Sequence, residues 1–161
     1  MKFIESNEVA EWCGEHGIAL SEDSKPLPEA TLIHNSRIVY ANGKRSGQEP
    51  NIASRCIRAL GSWEECLLCV TEWGIWGSGE DWPKYYAARG KRGERRSLEK
   101  APGHLFGSAE GEELTEFLTL VFENAWDAYL LPVPKENTKI VRLKISHDEW
   151  VEAQSSEAVS L

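Results

Sequence analysis

The sequence predicts a single α+β domain, a mixed sheet with helices mainly on one face and a C-terminal antiparallel hairpin. Three observations lead there. Leu114, Phe117, Leu118, Val121, Phe122 and Ala125 repeat with helical period through residues 110–126. The apolar run ECLLCVTEW (65–73) has the length of a buried strand. In TKIVRLKI (138–145), Val141, Leu143 and Ile145 alternate with Arg142 and Lys144, as in a strand with one wet side.

Residues 6–17 read as a helix. Ser6 or Asn7 can cap it, Val9, Trp12 and Cys13 share a face, and Gly17 can end it. SEDSKPLPEA (21–30) is a polar, proline-marked loop. TLIH (31–34) and RIVYA (37–41) read as two short strands around Asn35-Ser36, closed by Asn42-Gly43. A loop at 44–50 leads to a second helix capped by Asn51, with Ile52, Cys56, Ile57 and Leu60 inward and Gly61 at its end.

After the 65–73 strand comes a loop, Gly74 to Gly79. Asp81 then caps a helix with Pro83 in its first turn and Trp82, Tyr85, Tyr86 and Arg89 at helical spacing. SLEKAPGHLFG (97–107) is irregular, with HLF as a short strand. Glu110, Glu112 and Glu113 sit in the first turn of the 110–126 helix, where they suit its dipole. DAYLLPV (127–133) pairs with 138–145 through a short Pro-Lys-Glu-Asn link. The globular domain is expected to span 1–152, with 153–161 as a frayed tail.

The chain has 161 residues, 41% hydrophobic and 27% charged, enough to bury a real core. Seven tryptophans make it aromatic-rich. A formal charge of −8 and a pI near 5.1 disfavour whole-chain attraction to nucleic acid or anionic membrane. MKFIESNEVAEW lacks the apolar core of a secretory signal, and no stretch approaches a membrane span. A cytoplasmic location with reduced cysteines is the expectation.

Charge is unevenly spread. Residues 84–100 carry +5 and the remainder −13. A basic segment beside aromatics can form a surface for an anionic partner. It can equally be a solvated helix end balanced by the acidic start of the next helix. Trp73 and Trp76, three apart, face opposite sides if the strand runs through both, so one belongs to the core. Gly77-Ser78-Gly79 forms a rim at a strand end, a common place for ligands. Glu80 and Asp81 behind it would repel phosphate, and no phosphate-loop pattern is present.

Cys13-Gly-Glu-His16 and Cys66-Leu-Leu-Cys69 offer four zinc ligands on paper. The second pair lies in an apolar strand whose i and i+3 side chains diverge, so no metal site and no cofactor is expected. No hydrolase or metalloprotease pattern occurs. His104, in Pro-Gly-His-Leu-Phe, has the most site-like histidine context and could pair with Glu80 or Asp81. A structural histidine bonded to backbone is the competing reading. His147-Asp-Glu-Trp150 reads as a strand end, or as a capped turn with Trp150 packing back onto the sheet, and is assigned no chemistry.

EWGIWGSGEDW (72–82), APGHLFG (101–107) and AWDAYLLP (125–132) resemble a signature of small uncharacterised bacterial proteins. The resemblance covers residues 72–132 and implies no activity and no catalytic residue.

The sequence thus favours a non-catalytic binding protein of the immunity or accessory type, acting on another protein. Its candidate binding residues are Trp76, Ser78, Glu80, Asp81, Arg89, Arg92, Arg95, Arg96 and His104. The competing reading is an enzyme, or a nucleotide or nucleic-acid binder, built on the 74–81 loop, the basic 89–96 segment and His104.

Overall fold

A computed structural model describes residues 1–40, 47–159 and 161. Its strands are β1 (Lys2–Ile4), β2 (His34–Val39), β3 (Trp63–Glu72), β4 (Gly103–Gly107), β5 (Asp127–Pro134), β6 (Val141–Ser146) and β7 (Trp150–Ser155). The helices are α1 (Ser6–Glu15), α2 (Glu49–Leu60), α3 (Trp82–Gly90) and α4 (Gly111–Asn124), with one 3₁₀ turn at Gly77–Gly79. The strands form one sheet in the order β1-β4-β3-β5-β6-β7-β2. The α+β class and the β5–β6 hairpin are as expected; where a mixed sheet was expected, every pairing among the described strands is antiparallel.

β3 shows why the sheet has two dry faces. Cys66, Leu68 and Val70 point into the larger core with α2, α3 and α4. Leu67 and Cys69 point the other way, to Val9, Trp12 and Cys13 of α1. Alternating side chains therefore feed two layers, as the period of a strand requires. Gly103 in β4 permits the close approach of β1 and α1. A Cβ there would stand 2.5 Å from Ile4 Cγ1 and 2.6 Å from Val9 Cγ2.

Several details correct the expectations. Glu5, not Ser6 or Asn7, is the N-cap of α1, and α2 starts at Glu49 after Gln48, with Asn51 inside it. The segments 31–34 and 37–41 are not two strands about a turn. One strand, β2, runs through Asn35-Ser36 and pairs with β7 from His34↔Ser155 to Val39↔Trp150. The turn expected at Asn42-Gly43 and the start of the 44–50 loop lie outside the described residues. Residues 153–155 are not tail but the end of β7, bonded on both sides to β6 and β2. Ala153 and Ser155 are buried because the 150–155 alternation continues inward. Lastly, β1 went unforeseen. Three residues are too few to show a period; pairing with β4, the burial of Phe3 and Ile4 and a hydrogen bond from Arg96 to Phe3 O hold them.

The end of the sheet that carries the candidate site is set by three strand ends. β3 finishes at Glu72, β5 starts at Asp127, and β6 finishes at Ser146. α4 stops beside them. Its C-cap, Ala125, takes a left-handed conformation (φ 50°) that turns the chain into β5.

Candidate functional site

The loop Trp73–Asp81 leaves β3 at this end. Trp73 packs against the larger core, while Trp76 is 54% exposed; β3 ends at Glu72, before either tryptophan, so the loop and not a strand period divides the pair. Glu80 fixes the loop from within. It is nearly buried, and its carboxylate accepts from the backbone N–H of Gly74 (3.2 Å) and of Trp76 (3.3 Å). Asp81 Oδ1 accepts from Lys84 N at 3.1 Å and so caps α3. Asp81 N donates to Asn124 Oδ1 (2.6 Å), and Asn124 Nδ2 donates to Leu120 O (2.8 Å), which ties the loop to the end of α4. Glu80 and Asp81 therefore hold the loop's shape. Ser78 is exposed on the 3₁₀ turn. Beside it lies a cavity of about 350 Å³ lined by Trp76, Gly79, Glu123, Asn124, His147 and Glu149, among others.

The basic segment has a different fate. Arg89 and His104 are fully buried and join Tyr85 in one network. His104 Nδ1 lies 3.0 Å from Pro102 O and 3.3 Å from Leu68 O, so Nδ1 carries the hydrogen. Nε2 is then an acceptor, and Tyr85 OH donates to it at 2.7 Å. Arg89 Nη1 donates to Tyr85 OH (3.0 Å) and to Ala101 O (3.1 Å), Nη2 to Arg96 O (3.3 Å), and the guanidinium sits 4.6 Å from the centre of the Phe3 ring. Burial, then the charge of Arg89, pushes the His104 imidazole down to about 3, so it stays neutral. Burial likewise raises the Tyr85 phenol.

His104 is therefore not on a surface with Glu80 or Asp81. Its ring contacts Phe3 and Phe117 inside the core, in the structural role that backbone bonding gives a histidine. Arg89 is likewise no surface ligand. Spacing put it on the apolar stripe of α3, and the missing signal was the polar network able to receive it.

Arg96 and Arg92 are on the surface but engaged. Arg96 meets Glu94 (2.6 Å) and Glu5 (3.0 Å) and donates to Phe3 O, latching the segment to β1. The hydrogen bonds from Arg96 hold the Glu94 carboxyl down at about 2. Arg92 pairs with Glu116 (2.8 Å) and Lys84 with Glu123 (2.6 Å). The acidic faces of neighbouring elements thus neutralise much of the segment. Arg95 is exposed and makes no ion pair among the described residues.

The four cysteines are buried and free. Burial pushes Cys13 up to about 11 and Cys56 and Cys69 up to about 12, and raises Cys66 as well. Cys66 and Cys69 face opposite cores, as the strand period dictates. Among the described residues the one group of three potential metal ligands is elsewhere: Glu72, Asp127 and His147. Glu72 precedes Asp127 by 55 residues and Asp127 precedes His147 by 20, in a set that no motif announces. His147 N donates to Asp127 Oδ1 (2.6 Å), and Nδ1 stands 2.8 Å from the same oxygen.

Comparison with protein-family models, with curated proteins and with solved structures finds no match for this chain. No helix among the described residues is long and apolar enough to cross a membrane.

Proposed function

We propose that the protein is a non-catalytic binding module whose docking surface is the strand-end face around Trp76, and that its partner is a protein with a basic contact patch. One observation carries this reading. Trp76 is held out in solvent on a loop whose backbone is gripped by the carboxylate of Glu80. A large aromatic on a preformed loop loses little conformational freedom on binding, and tryptophan is favoured at the energetic centre of interfaces.

The surroundings give the sign of the partner. Glu149 lines the adjoining cavity, with Glu123 beside it in its pair with Lys84, Asp148 is exposed next to it, and the chain as a whole carries −8. Such a field speeds encounter with a cationic surface, and the face of the indole attracts a lysine or arginine side chain. The basic segment lends less to a nucleic-acid reading than its composition promised, since Arg89 is internal and Arg92 and Arg96 are paired.

The test is cross-linking capture from native lysate, with nuclease treatment in parallel, comparing wild type, Trp76→Ala and Arg92→Glu/Arg95→Glu. The expected result is one stoichiometric basic protein that survives nuclease and is lost only in Trp76→Ala. A partner that ignores Trp76→Ala and disappears with the arginine changes would overturn the reading, as would nucleic acid recovered alone.

A further inference from the structure

We propose that Glu72, Asp127 and His147 form a seat for one divalent first-row metal ion, of the zinc or manganese kind, at the end of the sheet. The three come from the ends of three adjacent strands: Glu72 closes β3, Asp127 opens β5, and His147 follows β6. Each offers one donor atom, and the donor atoms all lie within 4.8 Å of one another. Zinc bonds to nitrogen and oxygen run about 2.0–2.2 Å, so ligand atoms around one ion stand up to about 4 Å apart. Side-chain rotations of about an ångström would close the set around an ion.

Two features distinguish this group from a chance gathering of surface charge. First, Glu72 and Asp127 are direct cross-strand partners in the β3–β5 ladder. Like charges in that position oppose pairing, and a cation between them reverses the sign. The register also shifts between Val70 and Glu72. Such an irregularity re-aims side chains at the end of a strand and is frequent beside functional sites.

Second, the imidazole is oriented rather than free. The backbone and ring of His147 both contact Asp127 Oδ1, and Asp148 Oδ1 lies 3.5 Å from Nε2. Whichever ring nitrogen takes the ion, the other has a carboxylate oxygen beside it, the companion that metal-bound histidines ordinarily keep. Among the described residues the one lysine or arginine paired with the three is Lys25, 3.8 Å from Glu72 with both side chains well exposed. A mixed imidazole and carboxylate set suits zinc or manganese better than it suits calcium or copper(I).

This inference does not rest on the docking reading: His147 also lines the cavity beside Trp76, but Trp76 supplies no donor. The test uses the full chain, stripped with a chelator and titrated with Co²⁺ followed by visible absorption, then with Zn²⁺ in competition. Wild type and Trp76→Ala should each take one equivalent, with a spectrum free of thiolate charge transfer. His147→Gln and Glu72→Gln should each weaken binding at least about a hundredfold, with far-UV circular dichroism unchanged. Glu72 is exposed at a strand end, so its variant keeps the test valid if the histidine change unfolds the turn. Absence of binding to wild type at millimolar metal would overturn the proposal. So would affinity that both variants leave intact, or a thiolate spectrum.

Discussion

Two regions of this molecule contain the same kinds of side chain and use them in opposite ways. Around Tyr85, a tyrosine, an arginine and a histidine are fully buried and bonded to one another. Around Trp76, a tryptophan, a histidine and several carboxylates stand at the surface, on strand ends and a clamped loop. In the first region the polar groups bond to one another and to backbone, save Arg89 Nε, which is buried without a hydrogen-bond partner, and they leave little for a ligand. In the second they satisfy the backbone and leave a face. Residue type alone does not separate the two. What separates them is whether the polar groups are bonded to one another inside the core or stand at the surface.

The largest expected effect is at the buried centre. Arg89→Met should lower unfolding stability by about 3–5 kcal/mol, because Tyr85, Ala101 and Arg96 each lose a charged donor inside the core. Urea denaturation measures this. A loss below about 1 kcal/mol would mean that the network is dispensable, and the contrast with the loop would fail.

The same centre predicts a dependence on pH. His104 is neutral when folded down to about 3, whereas in the unfolded chain it gains a proton near 6.5. Below 6.5 the unfolded state therefore binds more protons. The contribution of His104 is complete above that pH and is lost as the pH falls toward 3, by roughly 1.4 kcal/mol per unit at most. Glu94, held down at about 2, adds a second loss only below its ordinary 4.5. The window from 6.5 to 4.5 thus isolates the histidine, and His104→Gln should flatten urea midpoints measured across it.

How far the sequence revealed these regions follows from the physics of each. Period was enough for α4, β3 and the β5–β6 hairpin, because burial of Leu114, Phe117 and Leu118 or of Leu67 and Leu68 leaves a repeating trace. It failed for β7, where Glu152 and Gln154 alternate with only Val151 and Ala153 and the strand is defined by its two neighbours. The loop was legible as a loop, and Trp76 as one member of a divided pair. That Glu80 turns inward to hold the loop backbone was not, since an acidic residue after glycines ordinarily reads as exposed. The Glu72, Asp127 and His147 group was hidden for another reason. Its members are brought together by strand order, which no local spacing encodes.

A middle-sized effect probes the hold on the loop. Glu80→Ala frees two backbone N–H groups, on Gly74 and Trp76, and should cost about 1–2 kcal/mol. The informative readout is hydrogen exchange. Protection should fall at Gly74 and Trp76 and stay unchanged in β4 and at Tyr85. Loss of protection at Tyr85 as well would show that loop and centre unfold as one unit and are not two regions at all.

The smallest expected effect on stability is the most discriminating. Trp76→Ala removes a side chain that is 54% exposed and outside both hydrophobic clusters, so stability should change by no more than about 0.5 kcal/mol. A tryptophan retained only for the fold would behave as Trp126 does, whose buried ring packs on Trp82 and Tyr85 and whose loss should cost about 3–5 kcal/mol. Paired urea titrations of Trp76→Ala and Trp126→Ala set the two side by side. If both are costly, Trp76 is a core residue and the docking surface loses its anchor. If Trp76→Ala is silent in stability yet costs more than about 2 kcal/mol in partner affinity, the ring earns its place through what it touches outside the molecule.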